Sequence, residues 1–197
     1  SSSMFSETAL RDEYTRKVSF TGSTEVGRTL LGLASERVLR TSMELGGNAP
    51  LIVFDDADME RAAAGAAAAK LRNGGQSCIA ANRMYVQSGI ADDFVSAYRE
   101  QMESVRIGHG LTEGVGIGPL INEAAVRDMA GLVEGAVEDG AELLTGGHAP
   151  EGAGNYFEPT VLDRVPPKAR ITGTEIFGPI AAIQRFDDED EAIARAN

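Results

Sequence analysis

The spacing of apolar residues changes along the chain, and each change marks a switch between strand and helix. Runs rich in β-branched and aromatic residues predict strands at 18–21, 51–54, 83–87, 141–145 and 180–186. Between them, Phe94, Tyr98 and Met102 recur four apart, and Ala125, Met129, Leu132 and Ala136 keep the helical period until Gly140 stops it. Each set predicts a helix with one buried side. Asp58 is placed to cap a helix over 59–71 that carries seven alanines between Ala62 and Ala69. Side chains this small let neighbouring backbones come close. The Gly- and Pro-rich stretch 146–159 predicts a loop, and Val165-Pro166-Pro167 interrupts any regular element. Near the end, Asp187 or Asp188 predicts a helix start with Ile193 facing inward, and the chain stops before a terminating signal. At the beginning, Lys17 leads directly into strand, turn and helix. Alternation of this kind, without repeats or low-complexity linkers, predicts a layered α/β fold.

Composition narrows the functional classes. The 197 residues are 43% hydrophobic and 24% charged, enough for a sizeable core. A net charge of −12 repels phosphate backbones and anionic lipid surfaces, so nucleic acid and membranes are not expected partners. Apolar runs fall far short of the roughly 20 residues that span a bilayer. Ser1-Ser2-Ser3-Met4 lacks the apolar stretch of a signal peptide, and Ser1 to Ser3 read as a cloning remnant. A single cysteine, Cys78, and two histidines, His109 and His148, leave no internal disulfide or multi-cysteine zinc site. No metal is expected, and the compartment is expected to be reducing and cytoplasmic.

The chemistry concentrates in Arg72-Asn73-Gly74-Gly75-Gln76-Ser77-Cys78. A thiol at or near a helix start meets unpaired backbone N–H groups and the positive end of the dipole, which favours the thiolate. The same N–H groups can hold a developing oxyanion. Without such a setting, a free cysteine is usually a small buried hydrophobe. Upstream, Met43-Glu44-Leu45-Gly46-Gly47 sets an acid on an apolar strand end. Partial burial would make Glu44 a fitting general base for water; full solvation would make it an ordinary surface charge. Downstream, Glu175 and Phe177 stand two apart before a strand, otherwise a loop residue and a core plug. A cysteine hydrolase or acyltransferase would pair Cys78 with His109 or His148. Both histidines lie in glycine-rich loops, whereas that chemistry needs a positioned base.

Four motifs occur in an order and spacing that resembles the NAD(P)-dependent aldehyde dehydrogenase superfamily: Phe20-Thr21-Gly22-Ser23-Thr24, Glu44-Leu45-Gly46-Gly47, Gly75-Gln76-Ser77-Cys78 and Glu175-Ile176-Phe177-Gly178-Pro179. The segments Lys70-Leu71-Arg72-Asn73, Ala81-Asn82-Arg83-Met84-Tyr85-Val86-Gln87 and Gly116-Ile117-Gly118-Pro119-Leu120 look most like its succinate-semialdehyde branch. The resemblance implies a three-layer open-sheet catalytic domain. It implies Cys78 as nucleophile and Glu44 as general base, oxidising a small-molecule aldehyde with NAD or NADP. It further implies Glu175 at the nicotinamide ribose, Phe177 near the nicotinamide, Gly22 and Ser23 at the cofactor diphosphate, and Leu45 at the carboxamide. Arg72 matches the arginine that binds the far carboxylate of a semialdehyde; otherwise it is an ordinary salt-bridge residue. Ala80 stands where some members of the branch carry a second cysteine, which excludes an active-site disulfide switch.

The family's oxyanion asparagine and cofactor-binding lysine precede Phe20 by many residues, and its oligomerisation strand follows Asn197. The chain is therefore expected to be a fragment. Residues 1–44 would be the C-terminal remnant of a dinucleotide-binding domain, and 45–197 a catalytic domain truncated at its C-terminal end. The parent is expected to be a homo-oligomer. The isolated fragment is expected to be inactive, or a folded non-catalytic piece, and the parent's range could extend to other aldehydes.

Overall fold

The strands find their partners in two separate sheets, one in each of two compact units, residues 1–47 and 48–197. The structure is a computed structural model that describes residues 2–197; of the serines read as a cloning remnant, Ser1 lies outside the described residues. The expected division after residue 44 compares with an observed one between Gly47 and Asn48.

The first unit is a strand-helix-strand turn preceded by a helix. After α1 (Ser2–Arg11) come β1 (Lys17–Thr21), α2 (Thr24–Ser35) and β2 (Arg40–Glu44). β1 and β2 run parallel, with Thr21 level with Glu44, so the start of α2 and the end of β2 share one end of the sheet. Ser23 caps α2, its hydroxyl accepting from the Val26 N–H at 3.3 Å. Gly27 lets the helix approach closely: a Cβ there would lie 2.5 Å from the Leu45 side chain.

The second unit is a five-stranded sheet in the order β3-β4-β7-β6-β5, with β3 at Ala49–Val53, β4 at Ala81–Gln87, β5 at Glu142–Thr145, β6 at Thr160–Asp163 and β7 at Ile180–Phe186. All neighbours are parallel except β5, which lies antiparallel on β6. Helices cover both faces. Met84, Val86, Ala181 and Ile183 pack against α3 (Met59–Leu71) and α4 (Ala91–Glu103). Leu162, Ile180 and Ala182 pack with Met129, Leu132, Val133 and Ala136 of α5 (Glu123–Glu138), while Tyr85 and Phe186 meet Ala192 of α6 (Glu189–Ala196). This is a three-layer open sheet.

Asp58 caps α3 as expected, accepting from the Arg61 N–H at 3.1 Å. The predicted stripe of α4 is fully buried at Phe94, Tyr98 and Met102, the Phe94 and Met102 side chains each contributing about 1.5–3 kcal/mol by leaving water. α6 differs from expectation: Asp188 caps it, but Ile193 is half exposed and the small Ala192 faces the sheet. With Tyr85 and Phe186 beneath, Ala192 and the partly buried Ala196 make that contact.

Candidate active site

The sheet brings distant motifs to one end. β4 and β7 are parallel neighbours, with Arg83 level with Ala182. The residues just before each strand, Ser77–Ala80 and Ile176–Pro179, therefore emerge at the same edge although about a hundred positions separate them. Gly75, just ahead of the first segment, packs backbone to backbone on Gly178. Gly75 has φ +76°, and a Cβ on it would fall 2.0 Å from the Gly178 carbonyl oxygen. Only glycine fits there, on both conformational and steric grounds.

Cys78 is exposed. The expectation that it sits at a helix start is corrected: a short 3-10 turn, Arg72–Gly75, ends before it, and Cys78 lies in a tight turn leading into β4. Asn73 and Gly74 take left-handed φ values of 55° and 64°, which break the helix before it reaches the thiol. The turn is closed by Ala80 N–H donating to the Ser77 carbonyl at 3.1 Å, with Ile79 N–H directed at the Ser77 hydroxyl. No helix start meets the sulfur, and the Ile79 and Ala80 amides of the turn are both directed at Ser77. Cys78 is also not the small buried hydrophobe of the alternative reading.

Gln76 anchors the same turn to the Gly116–Leu120 motif. Its Oε1 accepts from the Ile121 N–H at 2.9 Å, and its Nε2 reaches the Pro119 carbonyl at 3.5 Å. Arg72 follows α3 directly and is exposed. With Leu71, Gln101, Ser104 and Ile117 it lines a shallow cleft of about 350 Å³.

Phe177 is 44% exposed and so is no core plug. Together with the half-buried Glu175, it borders an open cleft of about 460 Å³ whose wall includes Met129, Leu132 and Arg170. The histidines are engaged locally: His109 Nδ1 accepts from the Leu111 N–H at 3.3 Å, and His148 Nδ1 lies 3.1 Å from the Gly146 carbonyl. Among the described residues neither is hydrogen-bonded to Cys78.

In the first unit, Gly22 and Glu44 meet through the backbone, Gly22 N–H donating to the Glu44 carbonyl at 3.0 Å. Leu45 follows directly and packs on Gly27 of α2. Of the two settings weighed for Glu44, the structure shows the exposed one, because β2 is a solvated strand in this two-stranded sheet. The twelve-residue helix α2 begins at the Gly22-Ser23 turn, offering a strand, a tight turn and helix N-terminal amides in the order that suits a dinucleotide diphosphate. Glu25 in the first turn offsets part of the positive end. The site residues thus divide between the units: Gly22, Ser23, Glu44 and Leu45 in the first, Arg72, Cys78, Glu175 and Phe177 in the second.

Lys70 and Asn82 carried no role in the sequence reading. Lys70 is completely buried, and its Nζ donates to Asn82 Oδ1 at 2.8 Å and to the Ile176 carbonyl at 3.2 Å. Burial pushes the ammonium down to about 7. The signal was available: Ala63, Ala66, Ala67 and Lys70 share one helical stripe, so a lysine occupies a core position.

The second unit is a three-layer α/β fold with an exposed thiol in the turn before β4. The aldehyde dehydrogenase family model matches residues 1–197, and the chain belongs to that family. It is 50% identical over 182 residues to the NADP(+) succinate-semialdehyde dehydrogenase GabD of Escherichia coli, covering 92% of this chain and 38% of that one. It is 49% identical to the glutarate-semialdehyde dehydrogenase of Pseudomonas putida, again covering 92% of this chain and 38% of the relative. A solved E. coli NADP-dependent enzyme superposes with TM-score 0.97 at 47% identity, over all of this chain and 41% of its own. The chain thus spans about two fifths of the relatives it matches.

Proposed function

We propose that this chain supplies the nucleophile-bearing part of an aldehyde dehydrogenase acting on an aldehyde with a distal carboxylate, such as succinate semialdehyde. The observation that carries the reading is the meeting of the Cys78 turn with the Glu175–Phe177 segment at one end of the sheet, locked by Gly75 against Gly178. Relatives named for succinate and glutarate semialdehydes support the substrate class.

In this mechanism the Cys78 thiolate adds to the aldehyde carbon, forming a C–S bond and a thiohemiacetal oxyanion. The Cys78 backbone N–H holds that oxygen in part. A bound NAD or NADP supplies the acceptor for the hydride that leaves the same carbon with its electron pair. Glu175 would hold and orient that cofactor and Phe177 would pack beside it, while Gly22 and Ser23 would meet its diphosphate and Leu45 its carboxamide. The thioester left on Cys78 is hydrolysed by water whose proton Glu44 accepts; the carboxylic acid departs and the thiol is restored. Arg72 pairs with the far carboxylate through its planar fork.

The test uses a protein containing this chain together with the remaining length of its relatives. In Glu44→Gln, a single burst of reduced cofactor followed by slow steady turnover supports the assignment. A variant with wild-type steady turnover removes Glu44 from the mechanism.

A further inference from the structure

Lys70 lies eight residues before Cys78 and Asn82 four after it, while Ile176 stands between Glu175 and Phe177. One buried amine therefore joins the chain entering the nucleophile turn, the chain leaving it, and the segment that carries the cofactor-binding candidates. Burying an amine among apolar neighbours is costly, and a methionine would fill similar space without that cost. Its presence is better explained by what the two hydrogen bonds hold in place.

Both bonded acceptors are neutral, an amide oxygen and a backbone carbonyl. A neutral amine keeps two N–H donors, as many as the acceptors served, so the contact survives loss of the proton. The charged and titratable groups of the packed elements include these. Glu60 and Arg61 occupy the far end of α3, and Arg72 is exposed beyond its near end. On β4, Arg83 and Tyr85 alternate with Asn82 and bond to the Asn48, Arg195 and Ala196 carbonyls. On α4, the buried Tyr98 hydroxyl has no hydrogen-bond partner, and Arg99 and Glu103 pair with each other. Glu175, next to Ile176, is half buried. Burial alone accounts for the lowered proton affinity of Lys70.

We propose that Lys70 is a positioning residue whose two hydrogen bonds hold the Cys78 turn and the Glu175–Phe177 segment in fixed register. The catalytic consequence rests on the aldehyde-oxidation reading; the clamp itself does not.

Amide hydrogen exchange on the 197-residue chain tests the clamp. In Lys70→Met, peptides covering 72–80 and 174–180 should exchange about tenfold faster together, the change expected from losing one or two hydrogen bonds, while α5 keeps its wild-type rate. Asn82→Leu should loosen the same two segments from the other partner, and it decides the matter if Lys70→Met fails to fold. Asn82→Asp, which keeps the acceptor, should stay near wild type. Uniform acceleration, or acceleration in only one segment, overturns the proposal. In a protein completed to the relatives' length, Lys70→Met should raise KM for the cofactor and lower kcat without raising KM for the aldehyde. Met102→Ala, a core truncation on α4, should lower Tm without producing that split; the same split in both variants overturns a positioning role. If the completed wild-type protein oxidises no aldehyde, the functional reading fails, and the exchange data still decide the clamp.

Discussion

Gly75 and Gly178 touch backbone to backbone, so closely that a single methyl group on Gly75 would lie 2.0 Å from the Gly178 carbonyl oxygen. This contact joins the loop before Cys78 to the loop that carries Phe177. Gly75→Ala must relieve both that overlap and a left-handed φ of +76°. We expect a destabilisation of about 2 kcal/mol or more, read as a fall in Tm of roughly 4–8 °C. An unchanged Tm would show that the two loops are not packed as described.

Lys70 makes stability depend on pH in a definite direction. Its folded-state value, about 7, lies below the ordinary 10.5. Between these values the unfolded chain binds a proton that the folded chain does not, so stability rises as pH increases from about 7 toward 10. Below 7 both states are protonated, and the full burial penalty, on the order of a few kcal/mol, is present. Tyr98 opposes the trend only above about 10, because burial raises its proton affinity. Denaturant midpoints measured from pH 6.5 to 9.5 should climb in wild type and flatten in Lys70→Met. Equal slopes in the two proteins would place the titration elsewhere.

Arg72→Ala, in a protein completed to the relatives' length, should raise KM for a carboxylated aldehyde by roughly 10- to 200-fold, from the about 1.5–3 kcal/mol of a charged hydrogen bond. Uncharged aldehydes should change little. Equal weakening of both substrate classes would make Arg72 a support for the loop instead.

The purified 197-residue chain should react with a thiol reagent at Cys78 yet produce no reduced cofactor from aldehyde and NAD(P). Dinucleotide binding needs a fuller strand-turn-helix framework than β1, α2 and β2 provide. The thiol, being exposed, needs none of it. Reduced cofactor forming with the chain alone would contradict this.

Elements with strong periodicity or a capping residue were legible in the sequence. Asp58 marked the start of α3, and the α4 stripe was fixed by Phe94, Tyr98 and Met102. β6 gave no alternation because all four of its residues are buried, and β2 hid behind the polar sequence Arg40-Thr41-Ser42. The eight-residue α6 misled because its largest apolar side chain, Ile193, points outward. Cys78, Glu175 and Phe177 stood out through the residues around them. The turn at Cys78 did not, since two consecutive left-handed residues, Asn73 and Gly74, ended the helix early. The role of Lys70 was not legible because its acceptors, Asn82 and Ile176, are 12 and 106 positions away.

The most direct measurement is the mass of the Cys78 peptide after the completed Glu44→Gln protein is mixed with succinate semialdehyde and NADP and quenched in acid. The expected result is one succinyl group in thioester linkage at Cys78, released by hydroxylamine and absent when cofactor is omitted. An unmodified Cys78 accompanied by a burst of reduced cofactor would contradict the covalent role of this thiol.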